Sequence, residues 1–173
     1  MLWTGADVFI ASVGATAPTD ITTAWPVAWE PVGLLDGDEG FTWARTEDTN
    51  DFYAWGGLLV RTTRSKHKRT VTFVCLEDND VTFDLINPGS TRGTAVAGVV
   101  TSAVKVPVPT EIAIGFEIRD GTKTVRRIVQ RAAIESVAEI KESENAPTVY
   151  NVTVVLYPQA DGTLWTELAP TGV

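Results

Sequence analysis

Two residue types that carry much of protein chemistry are nearly missing: the 173 residues hold one cysteine, Cys75, and one histidine, His67. A lone cysteine excludes an intrachain disulfide and suits folding in a reducing compartment. With one of each, the usual nitrogen and sulfur ligand sets for Zn²⁺ cannot be assembled, and no metal is expected. His67 sits in Ser65-Lys66-His67-Lys68-Arg69. A catalytic imidazole needs a carboxylate partner and a pocket, whereas one flanked by cations reads as a solvated loop residue. Phosphate-binding and dinucleotide-binding glycine patterns are absent as well. Asp36-Gly37-Asp38-Glu39-Gly40, with Glu47 in twelfth place, begins like a calcium loop. It fails because Gly40 replaces an oxygen ligand and Phe41 replaces the glycine needed for the sharp turn. A hairpin turn exposing acids is the better reading. No enzyme activity, catalytic residue or cofactor is therefore expected.

Long apolar runs are also missing. No stretch approaches the roughly 18 consecutive apolar residues of a membrane helix, so no membrane partner is expected. The opening Met1-Leu2-Trp3-Thr4-Gly5-Ala6-Asp7 has no basic segment and carries an acid early, unlike a secretory signal. Asn151-Val152-Thr153 fits a glycosylation acceptor but falls inside an alternating strand of a chain with no export signal.

What is present suits a globular protein. The length fits one domain spanning 1–173, large enough to bury roughly 70% of the unfolded surface. Hydrophobic residues make up 44% and charged ones 21%, an ordinary globular balance. The net charge of −8 argues against whole-surface attraction to nucleic acid or anionic lipid. The charge is uneven. Residues 1–58 hold nine acids and a single base, Arg45, after which Arg61, Arg64, Lys66, Lys68 and Arg69 crowd five bases into nine residues. An acidic body with one basic segment either binds nucleic acid locally or meets an acidic patch on another copy of itself.

Periodicity predicts a mainly β chain. Residues 6–11 read as a short strand, and residues 40–47 alternate with Phe41 and Trp43 on one side. Residues 70–75 alternate likewise, with Val71, Phe73 and Cys75 inward. Residues 111–119 give the clearest strand: Ile112, Ile114, Phe116 and Ile118 share a face, and Asp120-Gly121 supplies the turn. Residues 124–130, 134–141 and 148–157 continue as strands. Residues 76–86 fit either a strand or a short helix capped at Asp78. The helix is favoured because acids crowd its start and Asn87-Pro88-Gly89 stops it. Residues 90–109 are small and weakly patterned, a long excursion. Residues 48–69 exceed an ordinary hairpin connection, and long loops are usually functional. The expected fold is an antiparallel β-sandwich or barrel with one short flanking α-helix and a long extended loop.

Six tryptophans remain to be placed. Trp43 reads as core. Trp25, Trp29 and Trp55 fall in loop-like regions, where they either anchor loops to the body or serve as interface anchors.

The order of certain pieces resembles a known family. Gly5-Ala6-Asp7-Val8-Phe9-Ile10-Ala11 leads to Ala17-Pro18-Thr19-Asp20, then Trp29, Val32-Gly33-Leu34-Leu35 and Asp36-Gly37. Asp51-Phe52-Tyr53-Ala54-Trp55-Gly56, Leu59-Val60-Arg61, Thr70-Val71-Thr72-Phe73 and Leu76-Glu77-Asp78-Asn79 follow. Pro147-Thr148-Val149-Tyr150-Asn151-Val152-Thr153 and Tyr157-Pro158 close the pattern. This resembles the lambda-type major tail tube proteins of siphophages, particularly those infecting actinobacteria.

The resemblance implies a structural virion protein, made in the bacterial cytoplasm and catalysing nothing. Its subunits form hexameric rings whose strands join into one β-barrel around a lumen. Rings stack on a tape-measure protein, meet tail-tip and tail-terminator proteins, and pass double-stranded DNA without binding it specifically. It also implies an N-terminal arm over about 1–35 and an inter-ring role for the segment 48–69. The residues expected to act there are Asp48, Asp51, Phe52, Tyr53, Trp55, Leu58, Leu59, Arg61, Arg64, Lys66, Lys68 and Arg69. With Phe41, Trp43, Val71 and Phe73 facing the core, Thr42, Ala44, Thr46, Thr70 and Thr72 fall on the opposite face, the expected lumen face. An acidic lumen would repel DNA phosphates. Two other readings stay open: a contractile-injection or type VI secretion tube protein, and a monomeric carbohydrate-binding β-sandwich.

Overall fold

Along β7 (Glu111–Asp120) the large apolar side chains alternate, and the strand turns at Gly121 (φ 58°) into β8 (Lys123–Val137). This hairpin is the centre of the protein. The computed structural model describes residues 2–171. The remaining elements are β1 (Gly5–Ser12), β2 (Glu30–Pro31), β3 (Thr42–Tyr53), β4 (Leu59–Cys75), α1 (Asp80–Ile86), β5 (Thr91–Arg92), β6 (Ser102–Ala103), β9 (Tyr150–Leu156) and β10 (Thr166–Leu168). One antiparallel sheet runs β2-β1-β7-β8-β9-β4-β3, with β10 added to β8, and β5 and β6 form a separate two-stranded ribbon.

β8 folds the sheet over on itself. Its early residues lie between β7 and β10, whereas from Ala132 onward its neighbour is β9. Register shifts at Ile112/Ile114 and Ile134/Ser136 add the local twist and bend that this change of partner requires. The two halves enclose Val8, Val71, Phe73, Ile114, Phe116, Val152 and Val154, all at most 1% exposed. Phe116 is the hub, edge-on to Phe41, Trp43 and Phe73. A strap over residues 30–36 closes the fold. Val32 N donates to Val8 O at one end, and Asp36 N donates to Val74 O at the other.

The expected mainly β fold with a single short helix is what the chain adopts. The helix starts one residue later than expected, with Asn79 rather than Asp78 as its cap, its side chain accepting from Thr82 N. The Thr82 hydroxyl and the Asn79 amide both donate to Val32 O, which ties the helix to the strap. The strands expected at 124–130 and 134–141 are one strand that stops at Val137. Within the stretch expected as an arm over about 1–35, β1 is part of the body's sheet, pairing with β7 from Gly5 to Ser12. The second face of β7 is covered too. Trp25 stacks on Phe9 at 4.5 Å, and Trp29 is 3% exposed against Ala11, Ala113 and Ile128. These two tryptophans are loop anchors to their own domain.

Candidate assembly surfaces

Four strands, β3, β4, β9 and the far part of β8, form a sheet whose inner face is the core and whose outer face is open. On the outer face Thr42 pairs with Thr72, Ala44 with Thr70 and Thr46 with Lys68. Thr153 and Val155 of β9 continue the row, and the Thr72 and Thr153 hydroxyls meet at 3.0 Å. Phe41, Trp43, Val71 and Phe73 point the other way, into the core cluster. The register expected from the sequence is therefore the one observed. Beside these threonines, Lys68 on the same face pairs with Glu135.

Both lateral edges of this sheet lack a strand partner among the described residues. β3 ends the path, and β8 loses β7 after Ala133 while it keeps β9 to Val137. Unpaired N–H and C=O groups along such edges are templates for pairing with another chain.

Residues 48–69 are not the irregular loop that the sequence suggested. β3 and β4 run on through them as a two-stranded hairpin, paired from Asp48/Ser65 to Tyr53/Leu59. Gly56 and Gly57, at φ 90° and 82°, make the turn, and Ala54 N donates to Leu58 O. Among the described residues no third strand accompanies this arm, since β9 reaches only Arg69. At about 3.3 Å per residue, the paired arm extends about 20 Å past the body. Near the body, from Asp48 to Asp51 and Thr62 to Ser65, its residues are polar on both faces, so no hydrophobic alternation marks it as strand. The Gly-Gly dipeptide between β-forming residues was the available signal.

The basic cluster does not act as one unit. A register shift sets Glu47 opposite Lys66 and His67, with Lys66 at φ 53°. Arg61 and Arg64 lie on opposite faces of the exposed arm, and Arg64 comes only within 3.9 Å of Glu47. Lys66 pairs with Asp48 at 2.8 Å, and Asp51 accepts from Thr62 Oγ1 at 2.6 Å. Lys68 lies on the threonine face. Arg69 is not an arm residue: it is half-buried over the Trp165 ring, 5.4 Å from its centroid, and its Nε has no partner. His67 is exposed within β4, 3.8 Å from Glu47. The apolar residues Phe52, Tyr53, Trp55, Leu58, Leu59 and Val60 gather at the tip, with Trp55 fully exposed at 103%.

A buried ionic network escaped the sequence reading because Glu117 lies on the polar face of the alternation. Glu117 accepts from Trp25 Nε1 at 2.8 Å, Arg119 Nη1 at 2.5 Å and Arg126 Nε at 2.8 Å. Arg126 Nη1 donates to the carbonyls of Asp20 and Thr23, both at 2.8 Å. Burial pushes the Glu117 carboxyl up, but its hydrogen bonds to Trp25, Arg119 and Arg126 outweigh this and hold it below the usual range. Burial pushes the Cys75 thiol up to about 12, so it stays protonated and inert. Among the described residues no group of three His, Cys, Asp or Glu side chains could hold a metal ion, and no helix is long and apolar enough to cross a membrane.

Several solved structures are similar to the chain. A chain of the sheath/tube terminator of an extracellular contractile injection system, in the extended state, superposes with a TM-score of 0.51 at 12% identity, covering 96% of this chain and 94% of that one. A chain of the sheath-tube complex of such a system gives 0.49 at 12% identity, covering 95% and 88%. The tube-terminating cap of the anti-feeding prophage gives 0.47 at 15% identity, covering 92% and 95%. At these identities the first shows the fold alone. No curated protein matches. The phage tail tube protein family matches residues 4–171, nearly the whole length over which the sheet, the arm and the strap were traced. The chain belongs to the phage tail tube protein family.

Proposed function

We propose that this chain closes into hexameric rings that stack into the tail tube of a long-tailed phage, the channel for DNA entering the host. The observation that carries the reading is the four-stranded sheet with two unpaired edges, those of β3 and of β8 beyond Ala133. Edge-to-edge pairing of β3 with the β8 edge of the next copy removes both edges, and a rotation that returns to its start gives a ring. The sheet's outer face then lines the lumen with Thr42, Thr46, Thr70, Thr72 and Thr153. Those short hydroxylic side chains offer passing double-stranded DNA no stacking platform, and Lys68 is neutralised by Glu135. The hairpin arm joins ring to ring. A tape-measure protein occupies the lumen during assembly, and tail-tip and terminator proteins close the two ends.

Electron microscopy of the concentrated protein, with and without tail-tip seeds, tests this. Rings or tubes are expected, and a species that stays monomeric at high concentration overturns the reading, as it would for a carbohydrate-binding module. The double variant Arg61→Glu/Arg64→Glu should keep the melting temperature within about 2 °C, because neither side chain packs on the body. It should also raise the concentration needed for tubes at least tenfold. Unchanged assembly would show that the arm's cations do not join rings.

A further inference from the structure

The arm's tip and a cavity beside the strap lie at opposite ends of β3. The cavity has a volume of about 420 Å³ and is lined by Trp3, Ala6, Leu34, Leu35, Phe41 and Trp43 among others. It opens beside the start of β3, where the strap, β1 and the 36–40 turn meet. Asp36 and Gly37 form part of its wall, Asp38 and Glu39 of the same turn are exposed, and the cation in the lining, Arg127, is already paired with Glu167 at 2.7 Å. No ion pair involves Asp36, Asp38 or Glu39 among the described residues. At the other end of the strand, the segment from Phe52 to Arg64 contains no acid. Its cations are Arg61 and Arg64, and its exposed apolar side chains include Trp55 at 103%, Leu58 at 70% and Val60 at 66%.

The two surfaces are complementary: an aromatic-walled hollow with acids at its mouth, and an apolar projection flanked by cations. Neither can satisfy the other within one chain. The 12 residues of β3 separate them by about 40 Å. A second copy displaced along the strand by that length brings its tip to the first copy's cavity. The contact joins unlike surfaces and repeats in one direction, which yields a filament rather than a closed pair.

We propose that this cavity is the seat for the hairpin tip of a copy in the adjacent ring, with Trp55 and Leu58 entering between Phe41, Trp43 and the strap. The inference rests on the tube reading above and names the receiving site. Its volume falls within the ~300–1,000 Å³ range of cavities that enclose a small ligand, enough for an indole with a leucine beside it. Tryptophan is a common energetic anchor of protein interfaces, and Trp55 has no contact in its own chain that would hold it.

Cross-linking tests the seat directly. Leu58→Cys and Leu34→Cys, both at exposed positions, are purified separately and mixed under assembly conditions before mild oxidation. Buried Cys75 does not compete. A disulfide-linked dimer is expected from the mixture, none from either variant alone, and Trp55→Ala should raise the critical concentration for tubes at least tenfold with its melting temperature unchanged. Tubes without the cross-link, or a Trp55→Ala protein that assembles normally, overturn the seat while leaving the tube reading intact. Wild-type protein that never assembles overturns both.

Discussion

Replacing Glu117 with alanine removes one acceptor from three donors. Trp25 Nε1 and Arg119 Nη1 each lose a bond, but the serious loss is at Arg126, whose side chain is only 5% exposed. Its remaining partners are the Asp20 and Thr23 carbonyls, which are dipoles and not counter-charges. Removing one member of a buried pair typically costs about 3–5 kcal/mol, because the other charge is left without compensation. A chain of this size shifts by about 2–4 °C per kcal/mol, so the melting temperature should fall by about 6–20 °C. Arg126→Met should cost less, since Glu117 keeps Arg119 and Trp25. The double variant Glu117→Leu/Arg126→Met should recover part of the loss of Glu117→Ala, because no unpaired charge stays inside. Guanidinium unfolding followed by circular dichroism on the monomer gives all three values. A cost below about 1 kcal/mol for Glu117→Ala, the range of an exposed pair, would refute the claim that the network is desolvated.

Two further outcomes follow from packing and charge. Gly115→Ala should destabilise by about 1–3 kcal/mol in the same assay, with altered near-ultraviolet dichroism from tryptophan. A Cβ there would lie 2.3 Å from Trp25 Cη2, and stacking on Phe9 and the bond to Glu117 hold that ring in place. On acidification, the folded-state carboxyls of Asp20, Glu111, Glu117 and Asp161 all lie below their ordinary values. Depressed carboxyls contribute stability that is fully present above the unfolded range, about 4, and is lost as pH falls through the folded values. Unfolding free energy should therefore decline below about pH 4; stability that rises on acidification there would contradict these assignments.

How much of this was readable in advance depended on whether a residue had a core to face. Phe41, Trp43, Val71 and Phe73 alternate because one side of their strands meets Phe116, and their register was legible. Thr49, Asn50 and Asp51 are equally extended, yet the arm has no interior, so nothing in their polarity distinguishes strand from loop. Glu117 was misleading for the opposite reason. A charged residue on the polar phase of an alternation implies solvent, but residues 20–29 return to cover that face, and no local pattern announces the return. The five bases looked like one cluster because spacing along a chain ignores a bulge. Lys68 and Arg69, neighbours in the regular ladder, alternate to opposite sides of the sheet, and the shift beyond them offsets Arg61, Arg64 and Lys66 from both.

The topology also sets an order of events. β3 and β4 are joined through residues 54–58 and can pair locally, whereas Thr4 bonds Arg119, 115 residues along the chain, and Thr72 meets Thr153, 81 residues away. Distant pairings of this kind are slow to form because the intervening chain must first be ordered. The β3–β4 pairing can therefore form before the distant pairings that complete the body. The arm's twist at Lys66 and its charged side chains discourage pairing with the first strand encountered. A nascent chain stalled before β7 would carry the hairpin and its exposed apolar tip without the sheet that β7 and β8 complete.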